Sequence, residues 1–306
     1  MKSKKLLSIF IVLSMMIGIF SISAYAQYLD MESITTTDKM AFASEMKKKR
    51  AEAISNGTST QKSIEEIEDL MMQYGFATES KKAEIAQLLE KCGVYIYVDD
   101  NASVQSDSTI SPTSIWYPNC WSGDVELSSP IIYHNVDENS WTVSCSGKWV
   151  NNNWCPYLAL TTGNLGEEDA FGIAYTNTQT PYRSYVIRSS ARITDQYNRY
   201  VIGTQNRSDG DGSKGFGFRF NDEVICEEVV LYLGFEWYGS CTYDSNFASY
   251  DGVATAYYIH TYSTAKINSI EFGYDGKKAG LNVNLANVTN SFTAFSADTP
   301  MNNYGK

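Results

Sequence analysis

Histidine is scarce in this chain, and scarcity narrows the chemistry that can be sought in it. Only His134 and His260 occur among 306 residues. A serine or cysteine nucleophile needs a base within reach, itself oriented by a carboxylate. His260 stands mid-strand with Tyr258 and Tyr262 on its own face, a setting that predicts a satisfied strand residue rather than a base. His134, in PIIYHNVDENS, reads as a loop residue. Neither a G-x-S-x-G elbow nor an HExxH helix is present, so no catalytic residue is assigned.

Carboxylates cleave glycosidic bonds without histidine when two of them flank the bond. Glu236, in LGFEWYG, is the best single candidate, because a charge between Phe235 and Trp237 can acquire a raised pKa. The plain alternative is an outward residue on the polar side of its strand. Glu167-Glu168-Asp169 reads as a solvated acidic loop. The stretch 206–215, NRSDGDGSKG, starts like a calcium loop at Asp209, Asp211 and Ser213. It then places Lys214 where glycine is required and Phe220 where the bidentate glutamate belongs, so no metal ligand and no cofactor is expected.

Aromatic residues offer binding instead. They make up 13% of the chain, 22 of them tyrosine. Trp116, Tyr117, Trp121 and Trp154 lie among turn residues including Asn119, Asn152 and Asn153. The apolar C–H face of a sugar stacks on such rings while amides reach its hydroxyls. Trp116, Tyr117, Trp121, Asn152 and Trp154 are therefore the expected ligand-binding residues. The expected partner is a glycan or a cell-surface protein.

The elements that must position these residues fall into four stretches. Residues 1–26 read as a signal peptide: Lys2, Lys4 and Lys5, an apolar run from Leu6 to Phe20, then Ala24-Tyr25-Ala26 as a small-x-small cleavage site. No later run is long enough to span a membrane, so none is expected after signal removal. Residues 27–98 form a small helical region. Its clearest helix opens with Ser63 and Glu66 at capping-box spacing and carries Ile64, Ile67, Met71 and Tyr74 on one stripe. Another runs from Glu79 to Cys92, with Ile85, Leu88 and Leu89 on one face, and stops at Gly93. An earlier one, Asp38 to Ile54, carries Lys47 to Arg50 on a solvated face. Three short helices hold little core, so the region leans on the next domain or stays mobile. Residues 99–114 are a Ser/Asp-rich linker, which also admits a cleavable helical propeptide.

Residues 115–306 predict an antiparallel β-sandwich of jelly-roll type, making the chain mainly β. Its clearest signal is 141–162, WTVSCSGKWVNNNWCPYLALTT: a strand with Trp141, Val143, Cys145 and Trp149 on one face, an Asn turn, and a returning strand from Trp154 to Thr161. Further strands are expected at Asp124–Glu126, Phe171–Thr176, Tyr185–Thr194, Tyr200–Gln205, Phe216–Phe220, Glu228–Tyr238, Val253–Ser263, Ile267–Tyr274, Leu281–Val288 and Phe292–Ala297. An exported compartment permits disulfides among Cys92, Cys120, Cys145, Cys155, Cys226 and Cys241, with Cys145 bridging the two sheets.

Net charge is −11, and −14 once the three signal lysines are removed. Acidity without a basic patch argues against nucleic acid and anionic lipid. The sequence thus points to an exported, disulfide-bearing, extracellular binding protein. A secreted carboxylate-dependent hydrolase with a helical propeptide is the alternative, and a secreted toxin the second alternative.

Overall fold

Alternation along each strand sends every second side chain inward, and two antiparallel sheets meet on those inward faces. The computed structural model describes residues 38–99, 105–107, 120, 122–151, 163–164, 168–176, 184–198, 201–205, 210, 212–226, 229–261, 267–274, 279–285 and 291–301. All lie in one compact unit, Asp38–Lys306. The chain is mainly β, with helices preceding the strands.

The first sheet runs β1 (Val94–Asp99), β4 (Ile131–Asn135), β5 (Ser140–Trp149), β13 (Glu236–Tyr243), β8 (Val186–Thr194) and β9 (Val201–Gln205), with β3 (Val125–Leu127) also beside β5. The second runs β10 (Gly215–Phe220), β7 (Asp169–Thr176), β14 (Val253–Thr261), β17 (Ser291–Phe295) and β2 (Gln105–Asp107), with β18 (Thr299–Pro300) beside β14. A small sheet, β12 (Val230–Leu233), β11 (Glu223–Cys226) and β6 (Gly163–Asn164), accompanies them. The hairpin of β15 (Ile267–Tyr274) and β16 (Ala279–Leu285) covers the outer face of the second sheet, packing Ile267 and Ile270 on Ala170, Ala174 and Ile259.

Between the sheets, Trp141, Val143, Cys145 and Trp149 of β5 and Trp237 of β13 pack with Phe171, Phe218 and Tyr258 of the facing sheet. Each such side chain contributes about 1.5–3 kcal/mol on burial, so this layer dominates stability. The fit is close. A Cβ at Gly147 would lie 2.6 Å from the Trp237 ring, so glycine is what admits that tryptophan.

Three helices among the described residues cover what the sheets leave open: α1 (Asp38–Ser55), α2 (Ile64–Phe76) and α3 (Glu79–Lys91). The capping box is formed, with Glu66 N–H donating to Ser63 Oγ at 3.2 Å and Ser63 N–H to Glu66 Oε2 at 2.9 Å. Ile67, Met71 and Tyr74 of α2 and Leu89 of α3 bury against Ile131, Tyr133 and Tyr238, the outward side chains of the first sheet. Ile64 and Leu88, expected on the same stripes, are exposed. Ion pairs hold the edge of this layer: Arg188 to Glu68 at 3.3 Å and Arg192 to Asp69 at 3.1 Å. α1 packs differently. Its Phe42 and Met46 join the inner core beside Tyr97 and Trp141. Lys39, fully buried, donates to the Tyr250 carbonyl and sits 5.7 Å from the Tyr97 ring and 5.8 Å from that of Phe247. Burial lowers its amine to about 7, against the opposing pull of Asp251 and Asp38.

Several expectations change. The single strand Glu228–Tyr238 is two, because Gly234 adopts φ +93° and turns the chain between β12 and β13. His134 lies in β4, not in a loop: VDEN forms the turn of a β4–β5 hairpin, with Asn139 at φ 52°. β5 has both edges taken, by β13 on one side and by β4 and β3 on the other. Residues 152–162, where the returning strand is expected, lie outside the described residues. Arg50 is not on a solvated face; it is buried and reaches Asp137 Oδ2 at 2.6 Å. Among the described cysteines, Cys92, Cys120, Cys145, Cys226 and Cys241, none is bridged to another. Cys145 does face the second sheet as expected, yet it packs there as a small apolar side chain whose thiol burial pushes up.

Candidate functional site

β7 and β14 are antiparallel neighbours, and their register pairs Ala170 with Ile259. One step further along, Asp169 comes opposite His260. Both side chains are in the inward phase, Asp169 with Phe171 and Ile173, His260 with Tyr258 and Ala256. His260 Nδ1 lies 3.1 Å from Asp169 Oδ1 and 3.0 Å from Oδ2. Asp169 also accepts from the Tyr258 hydroxyl at 2.5 Å and from the Thr261 backbone N–H at 3.0 Å. Its exposure is 1%, that of His260 2%. The acidic loop expected at 167–169 is therefore solvated at neither described residue: Asp169 is buried, and half-buried Glu168 lies 3.5 Å from Arg219.

Two residues distant in sequence complete the cluster. Cys120, 1% exposed, precedes the short 3-10 turn Ser122–Asp124 and is hydrogen-bonded to the His260 side chain. Asp222 follows β10, two residues beyond Phe220, which pairs with Asp169. Ligand atoms of Asp169, Asp222 and His260 all lie within 4.8 Å of one another. Aromatic rings wall the group. Trp149 meets His260 edge-on at 5.2 Å, Phe292 lies 5.5 Å from the imidazole, and Trp237 stacks on Tyr258 at 4.0 Å.

The electrostatics follow from burial and partners. Burial alone would pull His260 down; the Asp169 charge, the hydrogen bond the ring donates to Asp169 and its hydrogen bond with Cys120 outweigh it and hold the imidazole well above its ordinary value. Asp222 goes the other way for a carboxyl. Burial, reinforced by the charge of Asp169 and opposed by His260, pushes it up to about 8, so it carries a proton at neutral pH. The Tyr258 phenol is raised by burial and then by Asp169 and Asp222, which keeps it a donor. An imidazole made basic by one carboxylate and touching a thiol is an arrangement able to generate a thiolate.

The residues expected to bind ligand, Trp116, Tyr117, Trp121, Asn152 and Trp154, all lie outside the described residues, as do Asp209, Asp211 and Cys155. Glu236 is half-buried on the outer face of β13, the side away from Trp237, opposite Lys148. Burial raises its carboxyl, with Lys148 opposing and Asp195 adding. It has no part in the inner cluster. Cys120, Asp169 and Asp222 are not among the residues expected from sequence. For Asp169 a signal exists: it opens DAFGIAYT in phase with Phe171, Ile173 and Tyr175, so a strand that buries those rings buries it too. Nothing local marks Cys120 or Asp222.

No helix among the described residues is long and apolar enough to cross a membrane. No protein-family description and no curated protein matches this chain. A solved structure from work on the pH-induced modulation of Streptococcus parasanguinis adhesion by Fap1 fimbriae aligns with 68% of this chain and 94% of its own, at 10% identity and a TM-score of 0.26. An overlap that loose assigns neither site nor activity, so the chain stands on its own geometry as a mainly β, antiparallel protein with a buried Cys–His–Asp cluster.

Proposed function

We propose that this chain is an exported, cysteine-dependent acyl hydrolase or acyltransferase, with Cys120 as nucleophile, His260 as general base and Asp169 as the carboxylate that orients it. One observation carries the reading: a buried imidazole held by Asp169 at 3.0 Å and hydrogen-bonded to the Cys120 thiol. With Nδ1 bonded to Asp169, the thiol proton is exchanged with the other ring nitrogen, and Asp169 stabilises the imidazolium that pairs with the thiolate. The thiolate attacks the acyl carbon, forming a C–S bond. As the tetrahedral intermediate collapses, the bond to the leaving amine or alcohol breaks and the imidazolium returns its proton to that group. Water, or a second acceptor deprotonated by the same imidazole, then releases the acyl group and restores the thiol.

Substrate recognition falls to the aromatic residues around the nucleophile. Trp116, Tyr117 and Trp121 lie within four residues of Cys120 in sequence, and Asn152 and Trp154 are the other residues expected to bind ligand. Such residues suit an acyl group carried on or beside a sugar, and this is how the binding role expected from sequence joins the chemistry. The signal at residues 1–26 supports a reaction outside the cell.

Treating the full chain with p-nitrophenyl acetate tests this. The expected result is one acetyl group per chain, mapped by mass spectrometry to Cys120, formed at least about tenfold more slowly in His260→Ala and absent in Cys120→Ala. Near-ultraviolet circular dichroism confirms that each variant folds. Acetylation confined to other residues, for instance the half-buried Cys226, or a rate indifferent to His260, would sink the proposal.

A further inference from the structure

Asp222 has no role in thiol chemistry, and its surroundings are unusual. It is 1% exposed, and neither carboxylate oxygen has a hydrogen-bond partner among the described residues. Asp169, a few ångströms away, has the Tyr258 hydroxyl, the Thr261 N–H and His260. A buried, unpaired acid beside a second carboxylate is destabilising, because desolvation and like charge act together. Such a group is retained at a cost that a ligand can offset.

We infer that Asp169, Asp222 and His260 form a binding site for a single divalent transition-metal cation. Two carboxylates match the charge of a dication, and an imidazole nitrogen selects zinc, cobalt or manganese over calcium and magnesium. The three ligand atoms lie within 4.8 Å of one another. Three ligands bonded at about 2.0–2.2 Å to one tetrahedral ion lie about 3.3–3.6 Å apart, so an inward swing of about 1 Å closes the site. Asp222 is the arm able to make it, since no hydrogen bond among the described residues restrains its side chain. Asp169 and His260 are held in place, and the Tyr258 hydroxyl and Thr261 N–H that hold Asp169 become outer partners of the kind that orient metal ligands. Binding releases the proton that Asp222 carries and the one on the His260 nitrogen facing Asp169, since a ligating carboxyl and imidazole must both give up theirs.

The cation and acyl transfer exclude each other, because both use Asp169 and His260. This corollary rests on the thiol reading; the metal site does not. The test uses the full chain, dialysed against chelator and titrated with Co²⁺. One equivalent is expected to bind, with visible d–d absorption. Asp222→Asn, which keeps the shape and removes the ligand charge, should weaken binding by at least about tenfold, whereas exposed Glu126→Gln leaves it unchanged. Zn²⁺ should raise the melting temperature of the wild type and not of Asp222→Asn. Cys120→Ser, which abolishes acylation, should still bind one equivalent, so loss of thiol chemistry and loss of the metal site are read separately. Failure to bind any of Co²⁺, Zn²⁺ or Mn²⁺, or unchanged affinity in Asp222→Asn, overturns the inference.

Discussion

His134 and His260 both stand in strands, both face the inner core, and both are almost wholly excluded from water, yet one ring is surrounded by hydrocarbon and the other by charge. His134 lies 4.4 Å from the Trp141 ring and 6.4 Å from that of Phe42, and neither of its nitrogens has a hydrogen-bond partner among the described residues. Burial, with a smaller push from Lys47, lowers it to about 4. His260 is as buried, and Asp169 reverses the sign. Desolvation is common to both, so the difference belongs to the partner. A buried histidine becomes basic in this core through the carboxylate opposite it on the neighbouring strand.

Removing that carboxylate should have the largest effect. Asp169→Ala strips His260, Tyr258 and the Thr261 N–H of their shared acceptor and should lower stability by about 3–5 kcal/mol, read from the urea midpoint. A loss no larger than that of an ordinary surface substitution would erase the contrast between the two histidines. The next effect is the acid limb of stability. The folded value of His134, about 4, lies below its ordinary 6.5, so the folded state favours the neutral ring. The stability this contributes is complete above pH 6.5 and is lost as pH falls through the window to 4, about 3 kcal/mol in all. His134→Phe should lose that part of the slope. If wild type and variant share the same acid limb, His134 is not the group responsible. The smallest effect is expected from Tyr258→Phe, which deletes one donor to Asp169 and should cost about 2 kcal/mol. It should also slow Cys120 acetylation less than His260→Ala does, since the imidazole keeps its carboxylate.

Where local pattern decides structure, the sequence was legible. Ile267–Tyr274 is a strand over the range its alternation predicts, Ser63 and Glu66 cap their helix, and Gly93, at φ +81°, closes α3. Where one residue interrupts a pattern, it misled. Gly234 sits inside an apolar run that reads as continuous until its backbone is seen. The apolar stretch around Ile131 and Ile132 looked like a loop because its turn, VDEN, lacks glycine. The inner cluster was half visible, as Tyr258 and His260 share a face by spacing alone. Cys120 and Asp222 reach it from strands and turns some hundred residues apart, and pairing between distant strands has no local signature.

The seat of α1 has a consequence for how the chain folds. Lys39 finds its carbonyl at Tyr250, 211 residues later. Phe42 and Met46 need Trp141, a hundred residues away, before they are covered. The first described helix is thus synthesised long before any surface exists to receive it. Closing so long a loop is slow in proportion to the entropy it removes, which puts docking of α1 among the last events and leaves two apolar side chains open to aggregation until then.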